Sequence, residues 1–134
     1  MSNSEEKAFI VMQSIFTKIS REEEVDVDKY FASDMLKVNN QSNVYPCFIG
    51  YNSTTIVIVK LNSQLEKEGV QLIDSSNIRS VSIKKSFLSK FLKIRINCED
   101  NTVFKLGAPL KLKHIPIQED NIAEFIEMFT NQSR

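Results

Sequence analysis

The sequence contains no tryptophan, one histidine, two cysteines, three glycines and three prolines in 134 residues. Each scarcity removes a chemistry. Gly50, Gly69 and Gly107 lie in separate segments, so no glycine-rich loop can cradle a phosphate chain. Cys47 and Cys98 are too few and too far apart for a zinc site or a disulfide framework. His114 follows Lys111 and Lys113, and no Ser, Cys or carboxylate is spaced to form a nucleophile–base pair with it. The longest charge-free stretch, Val38 to Val59, is rich in Asn, Ser and Thr and contains Pro46, so it is not a membrane span. The acidic, polar start lacks the cationic region of a secretory signal. These absences lead to the expectation of a cytoplasmic, non-enzymatic protein with two free thiols, no cofactor and no metal.

What is present is a globular composition, 42% hydrophobic and 25% charged, of a length that suits one domain. The net charge is zero but unevenly laid out. Residues 1–34 carry −4, residues 75–117 carry +7 and residues 118–134 carry −3. Between Ser75 and Cys98 stand Arg79, Lys84, Lys85, Lys90, Lys93 and Arg95 with no acid among them. The simplest expectation is that acidic helices lie against a basic sheet. Glu22, Glu23, Glu24, Asp26 and Asp28 form an acidic cluster without the alternating oxygen ligands and loop glycine of a calcium site. It reads as a solvated connection.

The first segment, Ser4 to Ile19, has helical spacing at Ala8, Val11, Met12, Ile15 and Ile19. Capping boxes at Ser2-x-x-Glu5 and Asn3-x-x-Glu6 would start it. A second, weaker helix is expected from about Val27 to Lys37, with Phe31 and Met35 on one side. From Val44 the pattern changes to strands. Val44 to Tyr51 and Thr54 to Leu61 flank Asn52-Ser53, and a two-residue turn there pairs Ile49 with Ile56 and Phe48 with Val57. Both faces of that hairpin are apolar, so its outer face needs cover from the N-terminal helix or from a second copy of the chain.

Asn62 to Glu68 reads as a polar loop and Val70 to Asp74 as a short strand. Ile78 to Lys85 alternates, with Val81 and Ile83 inward. Leu92, Ile94, Ile96 and Cys98 form one face of the next strand, with Lys93, Arg95 and Asn97 on the other. A two-residue turn at Asp100-Asn101 would set Ile96 against Lys105. A three-residue loop, Glu99-Asp100-Asn101, instead pairs Ile96 with Phe104 and Ile94 with Leu106, and wants a left-handed residue that Asn101 tolerates. That register places Arg95 opposite Lys105, a like-charge pair that costs a few tenths of a kcal/mol. Leu110 to Ile115 reads as a last extended run. A terminal helix from Gln118 to Thr130 follows, with Ile122, Phe125, Ile126 and Phe129 as its buried stripe and Asn121-x-x-Glu124 as a capping signal.

The order of six or seven short antiparallel strands and one C-terminal helix suggests an α+β, half-open barrel capped by that helix. The runs "FIGYNSTTIVIVKL", "IDSSNIRSVSI", "KFLKIRINCEDNTVFKL" and "EDNIAEFIEMF" resemble the pleckstrin-homology-like domains of bacteria. The resemblance divides the chain into an N-terminal helical extension, 1–40, and a barrel, 41–134, in one unit. It implies a binding or assembly module without a catalytic site.

The segment from Lys84 to Lys93 carries the candidate binding residues. Read as a helical turn, it sets Phe87, Leu88, Phe91 and Leu92 on one side and lysines on the other, the make-up of a membrane-surface anchor. Lys85, Lys93 and Arg95 also repeat a Lys-x7-Lys-x-Arg spacing that phosphoinositide-binding pleckstrin domains carry in their first hairpin, whereas here it falls later in the chain. The candidate contacts for a lipid headgroup or acidic partner are therefore Arg79, Lys84, Lys85, Lys90, Lys93, Arg95 and Lys105. Phe87, Leu88 and Phe91 are candidate membrane or partner contacts. Against them stands the plain reading that the lysines are solvated and the two phenylalanines cover a barrel end. The zero net charge and acidic flanks argue against nucleic acid. The expected partners are a protein or a second copy of the chain, with anionic lipid as the alternative.

Overall fold

Apolar side chains at alternate positions build most of the molecule. The computed structural model describes residues 4–85 and 90–132. Helix α1 (Ser4–Glu22) precedes seven strands: β1 (Lys29–Val38), β2 (Gln41–Tyr51), β3 (Thr55–Leu61), β4 (Lys67–Asp74), β5 (Ile78–Lys85), β6 (Phe91–Cys98) and β7 (Val103–Pro109). Helix α2 (Gln118–Gln132) closes the chain. The strands form one antiparallel sheet in the order β4-β3-β2-β1-β7-β6-β5. Ile58 and Ile73 at one end of that order share a core with Val81, Ile94 and Ile96 at the other, so the sheet curls around it. The result is the half-open barrel expected, with a helix at each end of the chain.

The barrel core is plugged by α2. Phe125 meets Phe31 and Tyr51 edge-on, each at 5.3 Å between ring centres, and Phe129 packs behind it at 5.0 Å. The Tyr51 hydroxyl donates to the Asn121 carbonyl at 2.6 Å. A second apolar layer lies outside the barrel. There Met12, Phe16 and Ile19 of α1 bury Phe48, Val57, Val59 and Leu61 of the β2–β3 hairpin. The cover that this hairpin needs is thus supplied within the chain, by α1.

The segment expected as a second helix, Val27 to Lys37, contains β1 instead, and the barrel's first strand lies inside the stretch assigned to the helical extension. Phe31 and Met35 fit helical spacing, but Phe31, Ser33 and Met35 also alternate, and all three are buried. Pairing on both sides, with β2 and with β7, decides for the strand. The β2–β3 register is displaced by two residues: Ile49 faces Ile58 and Phe48 faces Val59. The Asn52 side chain accepts from the amides of Thr54 and Thr55 at 2.8 and 2.9 Å, which centres the turn on Ser53-Thr54. A two-residue displacement keeps every side chain on its face.

β4 begins at Lys67, earlier than expected, and Leu110 to Ile115 holds only an isolated bridge between Leu112 and Ile115. Asn121 does not cap α2; its side-chain amide donates to the Tyr30 carbonyl at 2.9 Å. The capping residues expected for α1, Ser2 and Asn3, lie outside the described residues. Glu5 accepts from the His114 amide at 2.9 Å, tying α1 to the segment before α2.

Candidate anion-binding face

Three local features set the outer face of β1, β7, β6 and β5. The first is the β6–β7 turn, which is the three-residue loop derived above: Ile96 faces Phe104, Ile94 faces Leu106, and Asn101 takes a φ of 73°. Asp100 accepts from the Thr102 amide at 3.0 Å, and the amide and hydroxyl of Thr102 hold its carboxyl below the usual carboxylate range. The second is the β1–β2 turn. Asn39, at φ 60°, donates its amide to the Val103 carbonyl at 2.7 Å, and its side-chain oxygen accepts from the Val103 amide at 2.9 Å. This clamp fixes β1 against β7. The third is a bulge in β1 between Met35 and Lys37, where Leu36 lies over Gly107.

With the register set, cations line up across strands. Lys37 faces Lys105, Lys105 faces Arg95, and Arg95 faces Ser82. One step along, Lys84 faces Lys93, Lys93 faces Gly107, and Gly107 faces Asp34. The two rows border a groove of about 480 Å³ lined by Leu36, Lys37, Ser82, Lys84, Lys93, Arg95 and Lys105. Among the described residues, none of these five cations has a carboxylate within ion-pair distance. Burial pushes the Asp34 carboxyl above its ordinary value, and it is the acid nearest the rows in register.

The acidic helices do not lie against the cation rows, contrary to expectation. α1 sits on β2, β3 and the start of β1 at Tyr30 and Ala32, and α2 sits in the barrel mouth. Their acids pair elsewhere: Glu124 with Lys29, Glu119 with Lys111, and Glu6 with His114. The separation of charge seen along the sequence therefore survives folding.

Of the candidate residues, the structure brings Lys84, Lys93, Arg95 and Lys105 together. Arg79 is diverted by a bulge between Ile78 and Ser80 and is spent on the β6–β7 turn, 3.5 Å from the Glu99 carboxylate. Lys85 faces Leu92, whose side chain is in the core, so it does not share a face with Lys93 and Arg95. Lys90 is exposed in the residue before β6. Phe87 and Leu88 lie outside the described residues. The helical-turn reading fails at Phe91 and Leu92, which are strand neighbours on opposite faces: Leu92 is buried, and Phe91 is 48% exposed beside the groove. Lys37 was missed by the sequence reading because its segment passed for a helix; the alternation of Phe31, Ser33 and Met35 before Asn39-Asn40 was the available signal.

Elsewhere the chemistry is sparse. Cys47 and Cys98 are free and buried. Burial pushes the Cys47 thiol up to about 12, Asp34 adds to this, and a hydrogen bond with Ser33 opposes it. Among the described residues no group of three or more His, Cys, Asp or Glu could hold a metal ion, and no helix is long and apolar enough to cross a membrane.

No protein-family model matches the chain, and no curated protein matches it in sequence. Solved structures do. The C-terminal domain of an unknown protein from Leishmania infantum is 10% identical with a TM-score of 0.62, over 87% of this chain and 96% of that one. The hSac2 domain of the human phosphoinositide phosphatase Sac2 is 9% identical with a TM-score of 0.57, over 91% and 80%. The pleckstrin homology domain of USP37 is 10% identical with a TM-score of 0.51, over 78% and 97%. At such identities the likeness is one of fold. The fold is that of a pleckstrin-homology-like domain, with its N-terminal helix packed on the outside of the barrel.

Proposed function

We propose that the protein is a non-catalytic binding module that works inside the cell and captures an acidic partner on the outer face of β1, β7, β6 and β5. The observation that carries this is the row Lys37–Lys105–Arg95, three cations on adjacent strands with no carboxylate paired to them among the described residues. Like charges facing each other across a sheet cost stability, and an acidic partner removes that cost. The inert Cys47 thiol supports a role without thiol catalysis. Two buried free thiols suit a reducing compartment.

Retention on a cation exchanger at pH 7 tests the reading. The net charge is zero, so an evenly charged protein would flow through. The expected result is retention at low salt that Lys93→Glu with Arg95→Glu abolishes. Flow-through of the wild type would overturn the reading.

A second reading, peripheral binding to anionic lipid through residues 84–95, draws on Phe91, which is 48% exposed on the same face of β6 as Lys93 and Arg95. The likeness in fold to a pleckstrin homology domain and to a domain of a phosphoinositide phosphatase is compatible with it. It predicts co-sedimentation with phosphatidylserine vesicles, lost in high salt and on Lys93→Glu, and no sedimentation with neutral vesicles.

A further inference from the structure

Beside the groove lies a smaller hollow of about 180 Å³, lined by Asn39, Asn40, Arg95, Asn101, Val103 and Lys105. Arg95 and Lys105 line both and form the wall between them. Arg95 is held in place. Its Nε donates to the Asn97 side-chain oxygen at 3.1 Å, and the Asn97 amide donates onward to the Ser80 hydroxyl at 2.9 Å. That chain uses Nε and leaves the terminal guanidinium nitrogens to meet an anion in either hollow, a preorganised fork of the kind that suits phosphate oxygens.

From this arrangement we infer that the paired hollows are a site for a soluble ligand carrying two phosphate monoesters, one on each side of the Arg95–Lys105 wall. The inference rests on the proposed reading that this face binds anions. Two observations select the ligand. Five cations, Lys37, Lys84, Lys93, Arg95 and Lys105, line the hollows with no acid among the lining residues, a charge that two monoesters at about −1.5 to −2 each at pH 7 come near to balancing and one does not. The groove's volume, about 480 Å³, is that of a small-molecule site. The asparagines around the smaller hollow supply neutral donors that a phosphate accepts from.

The test is calorimetry and thermal denaturation of the full chain with fructose 1,6-bisphosphate and adenosine 3′,5′-bisphosphate, against fructose 6-phosphate and inorganic phosphate at constant ionic strength. At least one bisphosphate should bind saturably and raise the melting temperature, about tenfold or more tighter than the monophosphate, as one added charged contact gives. Lys105→Gln should raise the melting temperature of the unliganded protein, by relieving the row, and abolish the response to ligand. A merely structural lysine would lower it. Lys93→Gln, an exposed change, provides the same loss of binding should Lys105→Gln not fold. Equal binding of mono- and bisphosphates, no response to either bisphosphate, or a response that survives both variants would overturn the inference. Retention on the cation exchanger without a bisphosphate response would overturn it alone and leave the anion-binding reading standing; loss of both would end both. Binding to phosphatidylinositol 4-phosphate vesicles with no soluble bisphosphate binding would assign the site to a membrane instead.

Discussion

The side chain of Gln118 brackets the peptide of Ala32: its oxygen accepts from the Ala32 amide at 2.9 Å, and its amide donates to the Ala32 carbonyl at 2.7 Å. The same amide donates to the Pro109 carbonyl at 2.9 Å. β7 pairs with β1 only from Asp34 onward, so the edge of β1 before that point has no strand beside it. Gln118 and Asn121, both buried at the start of α2, complete the ladder with side chains. Gln118→Ala would strand buried donors and acceptors at a cost of about 2–4 kcal/mol in urea unfolding. Gln118→Glu should be nearly as costly, since a carboxylate cannot donate to two carbonyls. A loss below about 0.5 kcal/mol for both, the size of an ordinary surface change, would show that the bracket is dispensable.

A comparable dependence joins α1 to the sheet at Gly50. A Cβ there would stand 2.5 Å from Phe16 Cε1 and 2.8 Å from Val27 Cγ1. The Phe16 ring cannot swing aside, because it is buried and stacked on Tyr30 at 5.2 Å. Gly50→Ala should therefore cost about 1–3 kcal/mol by overpacking. Hydrogen exchange should place the loss in α1, and adding Phe16→Leu should recover part of it. An unchanged melting temperature would mean that α1 sits further from the sheet than described.

These two contacts mark where the sequence is legible and where it is not. The β6–β7 register follows from four local facts: the alternation in β6, the alternation in β7, a loop length, and the tolerance of Asn101 for a left-handed turn. All lie within a span of residues that touch one another. β1 is different, because its residues Ala32, Met35, Leu36 and Lys37 are sound helix formers. What makes it a strand is pairing with β2 next in sequence and with β7 about seventy residues away. The same distance hid Lys37 from the binding face. Composition places Arg79 and Lys85 there, and a bulge takes away the first while the alternation of β5 turns the second to the other face.

Burial makes the two cysteines unreactive. The Cys47 thiol is pushed up to about 12, chiefly by its burial, and burial also raises Cys98, with Asp100 adding to it. At pH 8 neither should form enough thiolate to react. Iodoacetamide should label neither in the native protein and both after denaturation, as intact mass would show. Rapid native labelling of Cys47 would contradict its place in the barrel core.

Asp34 gives a pH signature. Burial raises its carboxyl above the ordinary 3.8, so the folded state favours the protonated form. Its contribution to stability is present below the unfolded value and is lost as pH rises through the folded one. At pH 7 the ionised group therefore costs stability, and Asp34→Asn should melt higher than the wild type. The difference should shrink toward zero well below pH 3.8. Thermal denaturation of both proteins from pH 3 to pH 8 checks the sign, and a variant less stable at pH 7 would mean that Asp34 is held by the lysines of the second row.

The state of association depends on α1. Phe48, Val57, Val59 and Leu61 would form an exposed apolar patch without it, and each such side chain returned to water costs about 1.5–3 kcal/mol. In the intact chain that patch is closed, so light scattering at micromolar concentration should give the mass of one chain, 15.4 kDa. A variant beginning at Asp28 should self-associate or precipitate through the uncovered hairpin. A dimer of the full chain would require another route. α1 joins β1 through residues 23–28, in which Val25 and Val27 are half-buried and the acidic residues exposed, and its exchange between two copies would bury the same side chains in both. Such a dimer should dissociate slowly and ignore the lysine variants, whereas a contact made by the basic face should weaken with salt and with Lys93→Glu.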